Sequence, residues 1–158
     1  MKKPVVAIGI DPSLNNTGWA VMEDKKVTST GVWKNKVGGD ADQKMSDLFS
    51  SMLALIEEHD VDVVGIEEER VFHSTTAVIV GEVIGVIKAA VFAVKKEMSL
   101  VNVNPKRARK FLGLNGRDKG QILAQVQLLF PRCEIKTHHE ADAIAVANAA
   151  YLSYSKLI

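Results

Sequence analysis

The sequence of 158 residues lacks the features that mark several common protein classes. Its single cysteine, Cys133, excludes an intramolecular disulfide and fits a reducing compartment. It has no phosphate-binding Walker loop and no dinucleotide-binding glycine pattern, and no Ser, His and Asp stand at the spacing of a nucleophilic triad. We therefore expect neither a P-loop ATPase, a Rossmann-type enzyme nor a serine hydrolase.

Internal repeats, low-complexity segments and linkers are also absent from the sequence. A hydrophobic content of 47% over 158 residues suits one compact core, so we expect a single domain over 1–158. The run VVAIGI ends at Asp11, too early for a signal peptide, which favours a cytoplasmic protein. The apolar run 77–94 contains Glu82 and Lys88, and each would cost roughly 2.5–3.5 kcal/mol in a bilayer. This run predicts a buried helix of a soluble domain and no membrane partner.

Apolar runs and helical periodicity predict a mixed α/β fold. Strands are predicted at 4–10, 18–22, 27–33, 61–69 and 99–104. Helices are predicted at 40–58, at 74–96, for a short stretch opened by Pro105, at 121–130, and from about His138 onward. Strands that follow helices imply parallel crossovers, whereas the short connections between the first three strands imply antiparallel neighbours.

The charge is nearly balanced, with 20 basic and 19 acidic residues, but its distribution along the chain is uneven. Between Asn102 and Lys119 the local charge is +5, which leaves −4 for the rest of the chain. Such a patch indicates a partner that carries phosphate groups, or else a solvated helix face. Its basic residues are Lys106, Arg107, Arg109, Lys110, Arg117 and Lys119.

Carboxylates stand at the ends of two predicted strands. The run IGI leads to Asp11, and VVGI leads to Glu67, Glu68 and Glu69. A carboxylate at the end of a buried strand is costly unless it is paired or binds a cation, although Asp11 alone is also typical of a turn. The carboxyl ends of parallel strands are where α/β sheets bind ligands. Glu67 and Glu69 would share one face of their strand.

The segment THHEADAIAV, which begins at Thr137, has more polar groups than a helix start requires. Thr137 and Glu140 fit a capping box, which gives Glu140 a structural role. His139 and Asp142 are three residues apart and share one helical face at the positive end of the helix dipole. Capping does not require this second acid, so we predict that His139 and Asp142 belong to a metal-binding cluster. His138 lies about 100° away around the helix and is expected to face solvent or DNA.

The predicted site therefore consists of Asp11, Glu67, His139 and Asp142, which are mostly hard oxygen ligands. Such a set suits Mg²⁺ or Mn²⁺ better than structural zinc, which prefers thiolates and imidazoles. The matching chemistry is phosphodiester hydrolysis, in which two ions about 3.5–4 Å apart activate the attacking water and stabilise the leaving oxygen. We expect two ions per active site and no nucleophilic side chain.

Three motifs together resemble the RuvC-type Holliday-junction resolvases of the RNase H-like, or retroviral integrase, superfamily. The motifs are GIDPSLNNTGWAV at 9–21, DVVGIEEERVF at 62–72 and HHEADAIAVA at 138–147. The first motif alone also resembles the opening of actin-like sugar kinases, but those proteins need a second domain. The order and spacing of all three motifs extend the resemblance over essentially the whole chain.

The resemblance implies an RNase H-like fold with a central mixed five-stranded sheet flanked by helices. It also implies a homodimer that resolves four-way DNA junctions by paired symmetric nicks, with Mg²⁺ as cofactor and Mn²⁺ as a substitute. Asp11, Glu67 and Asp142 match the family's catalytic metal-binding carboxylates, and His139 stands where relatives have an Asp or a His. Alignment on ERVF would select Glu69 instead; we favour Glu67 because strand position decides which carboxylate reaches Asp11.

The resemblance also implies which residues contact DNA. Lys119 stands where the family has a basic residue near the scissile phosphate. An upstream family lysine has no single match, because three basic residues of the patch compete for its position. Phe72, after the second motif, is a candidate for stacking on bases to open the junction, with core packing as the alternative. The predicted DNA contacts are Phe72, Arg107, Arg109, Lys110, Arg117 and Lys119.

A weaker argument for the homodimer comes from the helix at 74–96, which is apolar on more than one face. A lone domain would leave part of this surface in water, whereas a two-fold copy would cover it. A branch-migration motor is a further predicted partner, and the cell would be a bacterium or a phage-infected host.

Two other functions fit the same residues. One is a nuclease of the same fold that acts on flaps, forks or RNA–DNA hybrids. The other is a junction-binding protein without turnover, in which His139 leaves the metal site incomplete.

Overall fold

The computed structural model describes residues 3–68, 74–94, 97–116 and 118–156. Within them, five strands and five helices follow one another in the order that the sequence predicts. The strands are β1 (Val6–Asp11), β2 (Asn16–Glu23), β3 (Lys26–Lys34), β4 (Val63–Glu67) and β5 (Ser99–Val103). The helices are α1 (Ala41–Glu58), α2 (Thr75–Val94), α3 (Pro105–Phe111), α4 (Lys119–Leu129) and α5 (His138–Ser155).

The strands form one mixed sheet in the order β3-β2-β1-β4-β5. β1, β2 and β3 are antiparallel neighbours, whereas β4 pairs parallel to β1 and β5 pairs parallel to β4. Ile10 stands opposite Ile66 in the parallel pair. The next residue of each strand, Asp11 and Glu67, therefore ends its strand beside the other at the carboxyl edge.

Helices cover both faces of the sheet. α1 and α2 pack on one face, where large aliphatic side chains such as Ile8, Ile10 and Ile66 fill the core. α5 lies on the other face together with α3 and α4, and its packing surface is mostly alanine. It approaches the sheet closely because Gly65 has no side chain: a Cβ there would lie 2.8 Å from the Ala150 Cβ.

The observed element bounds differ from the predicted ones by at most two residues, and the differences have local causes. α4 begins at Lys119, earlier than predicted, because the Asp118 carboxylate caps it by accepting the Gln121 N–H at 3.0 Å. β4 begins only at Val63, because the Val61 N–H turns back to the His59 carbonyl at 3.0 Å.

The predicted burial of the helix at 74–96 holds for one face only. The inner face of α2 packs against α1 and the sheet. On the outer face, the side chains of Val78 and Phe92 are 63% and 60% exposed. By length and composition α2 could also cross a membrane, but its inner face belongs to the core. Periodicity could not reveal this division, because apolar residues occur on every face of the helix.

Candidate active site

The carboxyl edge of the two central strands carries the first two predicted site residues on one face. Ile10 and Ile66 point into the core on the α1 and α2 side. Because side chains alternate along a strand, Asp11 and Glu67 point to the opposite face, which α5 covers. Gly65, two residues before Glu67, contacts α5 and confirms this orientation. The strand register thus brings both carboxylates beneath the first turns of α5.

His139 joins the first turn of α5 to the end of β1. Its Nδ1 lies 2.8 Å from the Asp11 Oδ2, and both side chains are largely buried. The helix can come this close because Asp11 pairs with Gly18, where any Cβ would overlap the His139 backbone. A carboxylate bonded to Nδ1 fixes the ring orientation and leaves Nε2 as the nitrogen that can bind a proton or a cation.

Asp142 lies one turn further along α5 and is paired with Arg109. Both the Nη2 and the Nε of Arg109 contact the same oxygen, the Asp142 Oδ1, at 2.9 and 3.2 Å. Arg109 reaches it from α3, which packs on α5 through Ala108. Asp142 precedes Val146 by one turn, and Val146 contacts Gly65. Asp142 is therefore on the β4 side of the edge.

The four predicted ligands lie at one edge, and bonds within the protein hold Asp11, His139 and Asp142. Asp11 is bonded to His139, and Asp142 is bonded to Arg109. Within residues 3–68, 74–94, 97–116 and 118–156, no three Asp, Glu, His or Cys side chains are grouped closely enough to hold a metal ion. The donor set of carboxylates and one imidazole fits a hard divalent cation in its chemistry and its place in the fold. It is not a preassembled cage.

The capping box predicted at the start of α5 is present. The Thr137 hydroxyl accepts the Glu140 N–H at 3.2 Å, and the Glu140 carboxylate accepts the Thr137 N–H at 2.8 Å. Glu140 is buried in this role and accepts the Lys136 N–H as well. Its structural assignment is therefore confirmed.

His138 packs against its neighbour at the same helix start. The ring centroids of His138 and His139 are 4.0 Å apart, and His138 is half-buried rather than fully solvated. Burial lowers the pKa of His138 below its ordinary value, and the neighbouring His139 and Lys119 add to this shift, while Asp142 and Asp11 oppose it. The His138 imidazole is therefore mainly neutral at neutral pH.

A basic cleft of about 430 Å³ opens beside His139, between the β2–β3 edge and the start of α4. Three lysines line it, Lys34, Lys119 and Lys136, and none of its described lining residues is acidic. Lys119 was predicted as a DNA contact, but sequence reasoning missed the other two. Lys34 reaches the cleft because β3 pairs it with Asn16 at the start of β2, and only the sheet register could have revealed this.

Three basic residues of α3 that the sequence could not rank have different surroundings. Arg109 points inward to Asp142, Arg107 lies 5.3 Å above the Phe111 ring, and Lys110 is exposed. Of these three, Arg109 contacts a predicted metal ligand. Glu69, Phe72 and Arg117 lie outside the described residues.

Comparison with known proteins identifies the family. A family model described as "Crossover junction endodeoxyribonuclease RuvC" matches residues 7–149. The RuvC of Caldicellulosiruptor saccharolyticus is 31% identical, over 96% of this chain and 95% of its own length. That of Agrobacterium fabrum is 26% identical, over 93% of this chain and 89% of its own.

The fold agrees with this result. The structure of Thermus thermophilus RuvC in complex with a Holliday junction substrate superimposes with a TM-score of 0.80 at 20% identity, covering 97% of this chain and 96% of that one. The predicted RNase H-like fold with a mixed five-stranded sheet is confirmed. The chain belongs to the RuvC family of crossover junction endodeoxyribonucleases.

Proposed function

We propose that this protein resolves four-way DNA junctions by paired symmetric nicks, with Asp11, Glu67, His139 and Asp142 as its catalytic, metal-binding residues. One observation carries the assignment. Two adjacent parallel strands end in Asp11 and Glu67 on the face covered by α5, and the first turns of α5 supply His139 and Asp142. The family's three motifs select the same residues, with Glu67 preferred to Glu69 because of its position in the strand.

Magnesium, or manganese in its place, would supply a bound water of lowered pKa and positive charge beside the leaving oxygen, with two ions per active site. Carboxylate oxygens from strand ends and from a helix start give such ions the hard ligands that they prefer. The bond between Asp11 and His139 orients the imidazole, so that Nε2 faces away from the carboxylate. No side-chain nucleophile is required for this chemistry.

The basic cleft beside His139 suits the phosphates of the cleaved strand. Three lysines supply positive charge along its described lining, and non-specific affinity for DNA comes mainly from such contacts with backbone phosphates. Lys119, Lys34 and Lys136 therefore hold the strand next to the scissile position, while Arg107 and Lys110 contact DNA on the α3 side. Phe72 and Arg117 stay predicted DNA contacts.

The outer face of α2 supports a homodimer. Exposed small and apolar residues recur at helical spacing along it: Val78, Gly81, Gly85, Ala89 and Phe92. A Cβ at either glycine would meet nothing within 4 Å, so another helix could approach closely there. A two-fold copy on this face would bury the stripe and give two active sites for one symmetric junction.

Several finer points stay predictions. They are the single-domain organisation over 1–158, the cytoplasmic location, and assistance by a branch-migration motor. The relatives described above are bacterial proteins, which is compatible with a bacterial or phage-infected host cell.

The function is tested by incubating the protein with a mobile and an immobile four-way junction in Mg²⁺ and mapping the nicks. We expect symmetric nicks in two opposing strands, and none with Asp11→Asn, which should still bind the junction. Flap and RNA–DNA substrates serve as comparisons. Incision of flaps alone would indicate the broader nuclease, and binding indifferent to Mg²⁺ without nicks would indicate a non-catalytic junction-binding protein.

A further inference from the structure

Arg109 is the counter-charge of a carboxylate that the proposed function assigns to metal binding. Asp142 is only 8% exposed, and a buried carboxylate is unfavourable without a positive partner. Both of the arginine's bonds go to one oxygen, Asp142 Oδ1, at 2.9 and 3.2 Å. In the structure, Arg109 supplies the positive charge that a metal ion would otherwise supply.

A divalent cation at Asp142 Oδ1 would have to compete for that oxygen with two donors of Arg109. A hard cation such as Mg²⁺ bonds carboxylate oxygens at about 2.0–2.1 Å and keeps its own shell of ligands around it. The guanidinium group already lies within hydrogen-bond distance of the same atom, and like charges at such separations repel strongly in a partly buried site. Arg109 therefore opposes metal binding at Asp142 Oδ1, and its movement away favours the cation.

The surroundings of Arg109 offer it an alternative partner when DNA is present. Its side chain is 29% exposed, so it has a route to solvent. It belongs to α3, whose other three basic side chains, Lys106, Arg107 and Lys110, are exposed. A guanidinium group matches the geometry of a phosphate as well as that of a carboxylate, and can donate two parallel hydrogen bonds to either.

We propose that Arg109 exchanges between Asp142 in the free protein and a backbone phosphate in the DNA complex, and so couples metal binding to DNA binding. Without DNA, Arg109 competes with the cation for Asp142. With DNA, the phosphate withdraws it and Asp142 becomes available. By thermodynamic linkage, the cation must strengthen DNA binding by the same factor. The inference rests on the metal site of the proposed function.

Calorimetric titration with Ca²⁺, which takes the same oxygen ligands, tests the exchange without relying on cleavage. Arg109→Gln removes the charge but keeps a hydrogen-bond donor for Asp142. We expect it to bind Ca²⁺ about tenfold more tightly than the wild type in the absence of DNA. A four-way junction should strengthen Ca²⁺ binding about tenfold in the wild type and little in Arg109→Gln. Unchanged Ca²⁺ affinity in Arg109→Gln, or an unchanged gain from the junction, would refute the exchange.

Lys106→Gln is the matched control, because it removes one exposed positive charge from the same helix. It should leave Ca²⁺ affinity without DNA at the wild-type value; an increase equal to that of Arg109→Gln would reduce the effect to general electrostatics and overturn the proposal. If Arg109→Gln fails to fold in a thermal melt, Arg109→Lys takes its place. Arg109→Lys keeps the positive charge but loses the paired donors. Its Ca²⁺ affinity without DNA should therefore lie between the wild-type value and the tenfold higher value expected when the charge is removed. Wild-type affinity there would also count against the exchange.

Asp142→Asn separates failure of this inference from failure of the proposed function. If Asp142→Asn abolishes Ca²⁺ binding while Arg109→Gln behaves like the wild type, the metal site stands and only the exchange is wrong. If Asp142→Asn leaves Ca²⁺ binding unchanged with and without the junction, Asp142 is no metal ligand. The exchange and that part of the proposed function then fall together.

Discussion

α5 and α2 cover opposite faces of the same sheet, and they do so in different ways. Every residue of α5 from Glu140 to Ala150 is buried, and alanines on its surface meet glycines in the sheet. α2 buries only five of its twenty residues and exposes an apolar outer stripe. Tight backbone contact fixes α5 within narrow limits, which suits a helix that carries the proposed catalytic residues His139 and Asp142. The looser surface of α2 suits assembly with another molecule.

The largest effect on stability is expected when a single methyl group is added where the sheet contacts α5. A Cβ at Gly9 would overlap the backbone of Ala143 and Ala147 in α5. Gly9→Ala should therefore lower the free energy of unfolding by about 3 kcal/mol or more, the upper end for overpacking. Gly85→Ala in α2 meets open space within one protomer, so in melts at concentrations where the protein is dissociated it should change this free energy by no more than about 1 kcal/mol, in the stabilising direction. Equal effects in thermal melts would show that the two faces are packed alike.

A second test concerns Asp11, the carboxylate that is bonded to His139 of α5. Asp11→Asn keeps the size of the side chain but removes the charge beside His139. Residues that only orient a metal ligand are worth about 10–100-fold in activity, so loss of a ligand should lower junction cleavage by at least about 100-fold. Gel-shift binding to the junction should persist, as should the folded structure. Cleavage within a few-fold of the wild type would remove Asp11 from the catalytic set.

The third test concerns the outer face of α2. Phe92→Lys places a charge in the exposed stripe and should weaken self-association by at least about tenfold, or about 1.4 kcal/mol. Val37, which is 91% exposed in the loop after β3, supplies the control Val37→Lys. Light scattering over a dilution series should show dissociation for Phe92→Lys only. A wild-type protein that is monomeric at micromolar concentration would remove the basis for paired nicks.

The smallest effects are expected from the two ends of the β2–β3 hairpin. Lys34 lies at the end near His139, in the basic cleft, whereas Lys25 lies in the turn at the opposite end. Lys34→Ala should weaken junction binding modestly and reduce the magnitude of its salt dependence by about one unit. Lys25→Ala should leave both unchanged. Identical salt slopes for the two variants would argue against a DNA strand in the cleft.

The fold followed from the sequence because its signals are local. Apolar runs ending in Asp11 and Glu67 mark the central strands, and the pair Thr137 and Glu140 marks the start of α5. Contacts between distant segments were not accessible in this way. Arg109 is 33 residues from Asp142, and the sequence offers no reason to choose it over its basic neighbours in α3. Only the packing of α3 on α5 decides which of them turns inward.

At the start of α5, the residues that cap the helix alternate along the chain with the proposed metal ligands. Thr137 and Glu140 cap the N-terminus of α5 through their mutual hydrogen bonds. The start of the helix therefore does not depend on the side chains at positions 139 and 142. Replacing the imidazole at position 139 by a carboxylate would then change the ligands of the proposed metal ion without unwinding the first turn of the helix. A nuclease of this fold can therefore exchange one metal-binding side chain for another at this position, and the rest of the fold need not change.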